Sequence, residues 1–440
     1  MPLSVRKIQN LTVNVGPARL ANSGKLTYVA VPVRTIAKPV RWAFLLFIFT
    51  LPFEAQDIGF LTGFLSPARI AGMLFFAVYF IYHHPFARSH FPPIPTAIVG
   101  FLGYIAVFAV GGVLTGGLSS ILVRSITLTQ LFAFLWIASD LLKNKKLTTE
   151  VLITYAVGLN ILASGVIFGF FGGADEFVPG RTRVLKEDLN GLAIHLGIAV
   201  IVSVGLYFSS ALERVTTKMM VATLALLPML AIVKTGSRGG LAAFVAGLLV
   251  LIIPYGRKRW RWGPVLVGVA IMAGAGYLVA TNSDFMNRWY QSYDRGSFSN
   301  REVLFPAAIE MIRERPVFGW QRDAWYHSFQ LGLWDDADPH NLFLYLLLEV
   351  GLVGTVPFLV GLWLCGRCAW KSRRGDFGYL ASAMLVTFFV SAMTLMTLVW
   401  KPFWFALALA VGLARCLREQ NERPAPLQVQ LRRALKTVPS

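Results

Sequence analysis

The chain is poor in charged residues, and poorest in acidic ones. Only 14% of its 440 residues are charged, and only 22 are Asp or Glu. A soluble globular domain carries about 25% charged residues, which it needs to cover its surface. The composition therefore excludes an ordinary soluble domain.

Cysteine is also scarce, with three residues in the whole chain. Three cysteines are too few for a disulfide-rich secreted scaffold. Cys365 and Cys368 have the spacing of a redox motif, but no βαβ pattern surrounds them. Unpaired thiols in a reducing compartment are therefore the favoured interpretation.

Long apolar runs are abundant. Hydrophobic residues make up 56% of the chain, and runs of about 20 apolar residues recur along it, as in membrane helices. The runs are continuous and do not alternate, which excludes a closed β-barrel as the main architecture. We predict an all-α polytopic membrane protein with about twelve transmembrane helices. The predicted spans lie near 40–53, 66–83, 95–115, 118–141, 150–171, 190–210, 219–234, 239–255, 263–281, 341–364, 378–399 and 402–416.

The distribution of positive charge predicts the orientation. Roughly two-thirds of the 41 Lys and Arg residues lie in the two tails and in the loops on their side of the membrane, which is the cytoplasmic side by the positive-inside rule. We therefore predict a cytoplasmic basic tail over 1–39, a membrane domain over 40–417 and a cytoplasmic tail over 418–440. The net charge of +19 follows from this bias, so anionic membrane lipids, and no nucleic acid, are the expected partners.

Two connections on the opposite side are long, 172–189 and 282–340. The second contains a predicted amphipathic helix from Glu302 to Ile312, which ends at Arg315-Pro316. Its apolar face suggests that the helix lies on the membrane. The residues of that face are Val303, Leu304, Ala307, Ala308 and Met311.

Several arginines fall on this same side. Arg181 and Arg183 lie in the first long connection, Arg238 lies in a glycine-rich turn between two spans, and Arg301 begins the amphipathic helix. Arginine can hold a phosphate by two parallel hydrogen bonds and stays charged in any environment. The set predicts a lipid-linked pyrophosphate as ligand. For Arg238, the alternative is a side chain that extends to the membrane surface without a ligand.

His340 and Asn341 directly precede an apolar run that contains one carboxylate, Glu349. Histidine titrates near neutral pH, so His340 could act as a general base. Asn341 could orient it or bind a hydroxyl, and Glu349 could support the site from about two helical turns below. The alternative is a structural histidine that caps the helix beginning at Asn341. Spacing alone does not decide between the two.

Three carboxylates crowd just before His340, at Asp335, Asp336 and Asp338. They could bind a divalent cation, but a solvated acidic turn is the favoured interpretation. We therefore predict no metal site.

Five motifs occur in one order along the second half of the chain. They are Thr235-Gly236-Ser237-Arg238-Gly239-Gly240, Asn300-Arg301, Arg315-Pro316-Val317-Phe318-Gly319-Trp320, Pro339-His340-Asn341 and Glu349-Val350-Gly351-Leu352-Val353-Gly354. In this order and membrane context they resemble the O-antigen ligase and polymerase superfamily. The resemblance covers about residues 180–355, with Asp188-Leu189-Asn190-Gly191 as a weaker upstream element.

The resemblance implies a GT-C-like helical fold in the bacterial inner membrane. It implies a glycosyl transfer on the periplasmic face that needs neither a metal nor a cofactor. The donor would be a glycan on undecaprenyl pyrophosphate. The acceptor would be a sugar hydroxyl, on lipid A–core for a ligase or on another lipid-linked glycan for a polymerase.

The resemblance also implies roles for individual residues. His340 would be the base that activates the acceptor hydroxyl. Arg238 and Arg301 would hold the donor pyrophosphate, assisted by Arg181 or Arg183.

A transporter or flippase of a lipid-linked or anionic glycan is the alternative function. Such a protein should place ionisable residues near the middle of the bilayer on broken helices. Arg124 and Glu349 are the strong candidates for that position, while the other polar chemistry gathers on one face. The sequence therefore favours the enzyme.

Overall fold

The computed structural model describes residues 15–17, 28–30, 36–54, 66–82, 91–114, 118–170, 188–256, 262–281, 301–321 and 339–422, with scattered positions between 283 and 294. Within these residues the α-helices are α1 (Lys38–Thr50), α2 (Pro67–Tyr82), α3 (Val99–Leu114), α4 (Leu118–Leu141), α5 (Lys145–Phe168), α6 (Leu189–Phe208), α7 (Val215–Thr223), α8 (Leu226–Lys234), α9 (Arg238–Gly256), α10 (Trp262–Thr281), α11 (Arg301–Glu314), α12 (Leu342–Ser372), α13 (Leu380–Ser391) and α14 (Lys401–Glu422). Short 3-10 helices cover Leu51–Phe53 and Thr96–Ile98.

The N-terminal tail departs from the all-α prediction. Strands β1 (Val15–Pro17) and β2 (Tyr28–Ala30) pair antiparallel, with Val15 opposite Ala30. Outside this three-residue ladder, every regular element that the structure describes is a helix.

The predicted multi-pass membrane protein is confirmed in its general form. A helix occurs at each of the predicted spans. Among the described residues, 6 helical stretches are long and apolar enough to cross a membrane, and four further apolar helices are shorter. The total of about twelve crossings therefore stays a prediction. The six stretches are Thr96–Leu114, Leu122–Leu141, Lys145–Phe168, Leu189–Phe208, Val215–Lys234 and Leu342–Ser372.

The span predicted over 219–234 is made of two helices, α7 and α8. Pro228 has no N–H with which to reach the carbonyl of Leu224, so a continuous helix would leave that carbonyl unpaired. The side-chain amide of Asn160 in α5 donates to it at 2.8 Å. A neighbouring helix thus supplies the bond that proline removes, as is usual for interrupted membrane helices.

The span predicted over 378–399 was too long. Only Leu380–Ser391 is helical, and the chain then turns before α14 begins at Lys401. Hydroxyl groups close the end of α13: Ser391 Oγ donates to Phe388 O at 2.8 Å and Thr394 Oγ1 donates to Ser391 O at 3.1 Å. Side-chain donors of this kind compete with the helical pattern and end it.

α6 forms the centre of the bundle. Nearly all of its side chains are buried, and it packs against α5, α8, α9 and α13. α9 and α13 are in turn close neighbours, which brings the start of α9 next to the end of α13. Because α6 also begins at this end of the bundle, three chain segments meet there.

Ion pairs tie the helices together at the other end. Lys145 Nζ lies 3.0 Å from Asp376 Oδ2, and Ser210 Oγ donates to Asp376 Oδ1 at 2.8 Å. Burial alone would raise the pKa of Asp376, but the hydrogen bonds from Lys145 and Ser210 lower it below its ordinary value. The carboxylate therefore stays charged and joins the connection after α12 to α5 and to the end of α6.

Candidate functional site

The turn formed by residues 392–394 organises the site. Its three consecutive carbonyls each accept a hydrogen bond from a segment that is distant in sequence. The bonds run from Leu342 N to Ala392 O at 2.8 Å, from Asn341 Nδ2 to Met393 O at 3.4 Å and from Arg301 Nη2 to Thr394 O at 3.1 Å. The 392–394 turn therefore holds the first residues of α11 and α12 beside the end of α13.

Arg301 is half-buried, and its guanidinium is only partly satisfied. Nη2 donates to Thr394 O, whereas Nε is buried and has no hydrogen-bond partner among the described residues. Burial, and after it the positive charge of Arg238, lowers the pKa of Arg301, while the carboxylates of Asp188 and Glu302 act in the opposite direction. An arginine beside a second cation, with an Nε that has no partner among the described residues, forms an environment that favours an anion.

Arg238 is the first residue of α9 and is positioned by its neighbours in the glycine-rich turn. Gly236 adopts a φ of 62° there, a conformation that glycine accepts without strain. Ser237 Oγ accepts from Gly240 N at 3.1 Å and caps the helix. Gly239 lies against the 392–394 turn, since a Cβ at this position would be 2.9 Å from Thr394 Oγ1. The glycine at this position therefore allows the backbone of α9 to approach another part of the protein closely.

The upstream element Asp188–Gly191 joins the same site. Asp188 caps α6 by accepting from Asn190 N at 3.0 Å and Gly191 N at 3.1 Å. Asn190 Oδ1 accepts from Ser237 Oγ at 2.7 Å, which links the start of α6 to the start of α9. The carboxylate of Asp188 partly balances the positive charge of Arg301.

His340 is exposed and adopts a φ of 47°. A non-glycine residue with positive φ stores backbone strain, and such residues concentrate at functional sites. The neighbouring Asn341 is the residue that caps α12, with Oδ1 accepting from Phe343 N at 2.9 Å and Leu344 N at 3.1 Å. The alternative in which His340 caps the helix is therefore wrong. Since the amide of Asn341 is engaged in the cap, its role in binding substrate stays a prediction.

Glu349 is buried about two turns below Asn341, and its role in supporting the site stays a prediction. Its two oxygens accept from Tyr104 Oη and Tyr345 Oη, both at 2.8 Å. Arg124 Nη2 lies 3.3 Å from Oε1, and its guanidinium also faces the ring of Tyr345 at 5.1 Å. Three helices, α3, α4 and α12, are thereby joined around one carboxylate.

The remaining predicted residues cannot be placed. Arg181 and Arg183 lie outside the described residues, as do the three carboxylates at 335, 336 and 338. The structure thus brings Arg238, Arg301 and the His340-Asn341 pair to one end of the bundle, with Glu349 beneath them.

Sequence reasoning missed three parts of this arrangement. The 392–394 turn lies inside the span predicted over 378–399. Ser391, Thr394 and Thr397 interrupt that apolar run and indicate its end. No feature of the sequence indicated that two tyrosines bond to Glu349, because tyrosine at helical spacing is typical of any membrane helix. The motif at Asp188 was noticed, but its electrostatic role was not.

The chain is a multi-pass helical membrane protein with a paired-arginine and histidine site at one end of its bundle. A family model for the O-antigen ligase domain matches residues 221–359, a stretch that includes Arg238, Arg301, His340 and Glu349. An O-antigen ligase of Pseudomonas aeruginosa is 28% identical over 161 residues, covering 35% of this chain and 36% of that protein. The match thus spans about a third of its curated relative. The predicted resemblance to the O-antigen ligase and polymerase superfamily is confirmed.

Proposed function

We propose that this protein transfers a glycan from undecaprenyl pyrophosphate to a sugar hydroxyl of an acceptor on the periplasmic face of the bacterial inner membrane. The acceptor is lipid A–core if the protein is a ligase, or a second lipid-linked glycan if it is a polymerase. No metal or cofactor takes part in the proposed reaction.

The pairing of Arg301 with Arg238 carries this proposal. A pyrophosphate leaving group gains negative charge as its bond to the sugar breaks, and preorganised cations stabilise such charge best where water is restricted. Arg301 Nε has no hydrogen-bond partner among the described residues, and Arg238 is a cationic neighbour. A bound pyrophosphate would accept a hydrogen bond from Nε and neutralise the charge of the two arginines. The family match over 221–359 supports the same reading.

The transfer also requires a base that takes the proton of the acceptor hydroxyl, and His340 supplies it. The acceptor hydroxyl oxygen attacks the anomeric carbon of the donor sugar, and its proton passes to the imidazole of His340. The bond between that carbon and the pyrophosphate oxygen breaks, and undecaprenyl pyrophosphate leaves with both bonding electrons. The imidazolium then returns its proton to solvent. Arg181 and Arg183 stay candidates for assisting at the pyrophosphate.

The distribution of charge supports the periplasmic location. The site lies at the end of the bundle opposite the connections that follow α4, α6 and α12, whose basic residues by the positive-inside rule mark the cytoplasm. A lipid-linked donor would approach from the membrane with its pyrophosphate at the level of Arg238 and Arg301.

A transfer assay in proteoliposomes tests this function. The donor is undecaprenyl-pyrophosphate-linked glycan prepared from cells that lack the protein, offered with lipid A–core or with a second lipid-linked glycan. His340→Ala should lower transfer by about 100-fold or more, since it removes general base catalysis, while donor binding measured by native mass spectrometry persists. Near-normal transfer by the variant would remove His340 as the base, and no transfer by the parent to either acceptor would reject the function.

One observation favours a transporter or flippase as the second candidate. Glu349 and Arg124 lie on helices of the bundle, and α12 departs from helical geometry at Gly351, two residues after Glu349. Ionisable groups beside a broken helix are typical of transport sites. The same proteoliposomes distinguish the two functions, because a flippase would move the lipid-linked donor between leaflets without any glycosyl transfer.

A further inference from the structure

The break in α12 leaves backbone groups that need partners. Gly351 has φ 57° and ψ −161° in the middle of the helix, so the carbonyls before it and the N–H groups after it lose their intrahelical bonds. At membrane depth such groups must be satisfied by other parts of the protein, because no water is available.

Residues 316–321, here called the strap, supply four of these partners. Two strap N–H groups donate to carbonyls before the break, and two strap carbonyls accept from N–H groups after it. The four bonds run from Trp320 N to Leu348 O at 2.6 Å, from Gln321 N to Glu349 O at 2.8 Å, from Leu352 N to Pro316 O at 2.9 Å and from Val353 N to Val317 O at 3.1 Å.

The contact between strap and helix needs a glycine on each side. Gly319 in the strap has φ 68° and Gly351 has φ 57°, a region that favours glycine. A Cβ on Gly351 would lie 2.3 Å from Val317 O, and one on Gly319 would lie 2.6 Å from Gly351 N. Any side chain at either position would push the two backbones apart.

The strap is also fixed to α11, the helix that begins with Arg301. Trp320 Nε1 donates to Met311 O at 2.7 Å, and the guanidinium of Arg315 lies 4.0 Å from the Trp320 ring. Ala308 and Met311 pack with Trp320 and Leu348 in one small apolar cluster. This face of α11, which the sequence predicted to lie on the membrane, is therefore partly buried against the protein.

α11 and the first part of α12 consequently meet at two places. At one end Arg301 and Asn341 both bond to the 392–394 turn, and at the other end the strap joins α11 to the break at Gly351. The two helical segments and their two connections form a closed frame. Such a frame resists changes in the distance between its corners, and Arg301 and His340 stand at neighbouring corners.

We propose that the strap is a positioning device, which holds the general base His340 at the correct distance from the pyrophosphate bound by Arg301. Gly319, Gly351 and Trp320 are the positioning residues. This inference rests on the proposed transfer reaction. Displacement of a reacting group by about 1 Å can cost about 100-fold in rate, so a frame that fixes this distance has a direct effect on turnover.

Gly351→Ala tests the proposal, with Gly366→Ala as the matched control. Both are glycine-to-alanine changes in α12, but a Cβ at Gly366 meets nothing within 4 Å. In the proteoliposome assay we expect Gly351→Ala to lower kcat by about 100-fold and to change the donor KM by less than about threefold, because the arginines keep their contacts while the base moves. Gly366→Ala should match the parent in both constants.

The distance between spin labels on α11 and α12 reports on the frame independently of activity. Spin labels at Glu310→Cys in α11 and Val356→Cys in α12, both exposed, are placed in a background in which the three native cysteines are replaced by alanine. Double electron–electron resonance should give a narrow distance distribution for this labelled protein and for Gly366→Ala. It should give a shifted or broadened one for Gly351→Ala.

Trp320→Phe is the second variant in case Gly351→Ala does not fold. It keeps an aromatic ring in the apolar cluster and removes only the N–H that donates to Met311 O. It should broaden the distribution less than Gly351→Ala and lower kcat by a smaller factor.

The outcomes separate the two proposals. An unchanged distance distribution in both Gly351→Ala and Trp320→Phe, or a changed one with unchanged kcat, would overturn the positioning role. If the parent shows no transfer to either acceptor while the distances still respond to Gly351→Ala, the transfer function fails and the positioning role fails with it, although the frame remains as a structural feature.

Discussion

At the scale of single residues, Arg301 stands out because its electrostatic environment is unfavourable. Its guanidinium is half-buried next to a second cation, and its Nε has no partner in the part of the chain that the structure describes. Burying a charge without full compensation is unfavourable, and so is placing two cations together. Such an arrangement is stabilised by an anion that accepts a hydrogen bond from Nε, and the donor pyrophosphate fits this need.

Arg301→Lys should therefore lower the activity of the enzyme, although the positive charge is kept. The ammonium group of lysine cannot donate to Thr394 O and also bind a phosphate through two parallel hydrogen bonds. We expect kcat/KM for the donor to fall about ten- to a hundredfold, since a hydrogen bond to a charged group contributes about 1.5–3 kcal/mol. The same change at Arg313 is the control, because Arg313 is exposed on the same helix and pairs with Glu310. Equal activity of the two variants would exclude Arg301 from the donor site.

The sequence was sufficient to identify Arg238, Arg301 and His340 as candidates, because charged or titratable groups at the edge of apolar spans are costly. It could not place them together. Their proximity depends on the 392–394 turn, whose main-chain carbonyls have no signature in the side-chain pattern. Whether His340 caps α12 was equally open, because only the contacts of Asn341 show that Asn341 is the cap.

At the scale of helices, the cluster around Glu349 joins α3, α4 and α12. The carboxylate accepts from two tyrosines and faces Arg124, so a negative and a positive charge are balanced among apolar helices. A balanced pair of this kind contributes little net stability compared with apolar residues, but loss of one partner is strongly destabilising.

Arg124→Met should lower the free energy of unfolding by about 3–5 kcal/mol, because it leaves the Glu349 carboxylate buried without its cation. The double variant Arg124→Met, Glu349→Gln should recover most of this loss, since the glutamine is neutral and keeps an oxygen that can accept from a tyrosine. Equilibrium unfolding of the purified protein in mixed micelles gives both values. A double variant no more stable than the single one would show that the pair is not coupled.

The limits of the sequence at this scale also have a physical cause. Helix positions followed from continuous apolar runs, which determine where a chain can cross a bilayer. The interruptions did not follow, because each depends on a partner elsewhere: Asn160 satisfies the break between α7 and α8, and the strap satisfies the break at Gly351. Gly351 belongs to the motif that begins at Glu349, but nothing in that motif indicates that its backbone leaves the helical conformation.

At the scale of the whole molecule, the two ends of the bundle differ in character. One end carries the arginines and His340 around the 392–394 turn, and Lys401 pairs with Glu54 there, joining α14 to the end of the first span. The other end is joined by Lys145 with Asp376 and by Arg415 with Asp140. The proposed function requires the first end to face the periplasm.

Labelling of single cysteines tests that orientation. In a background in which Cys365, Cys368 and Cys416 are replaced by alanine, Arg313→Cys places an exposed thiol on α11, and Glu213→Cys places one in the connection between α6 and α7. A membrane-impermeant maleimide added to spheroplasts should label Arg313→Cys at once and Glu213→Cys only after the membrane is disrupted, because the basic connections face the cytoplasm. Parallel transfer assays of both variants show whether the thiols leave the fold intact. The reverse labelling pattern would place the arginines and His340 on the cytoplasmic side and would exclude transfer on the periplasmic face.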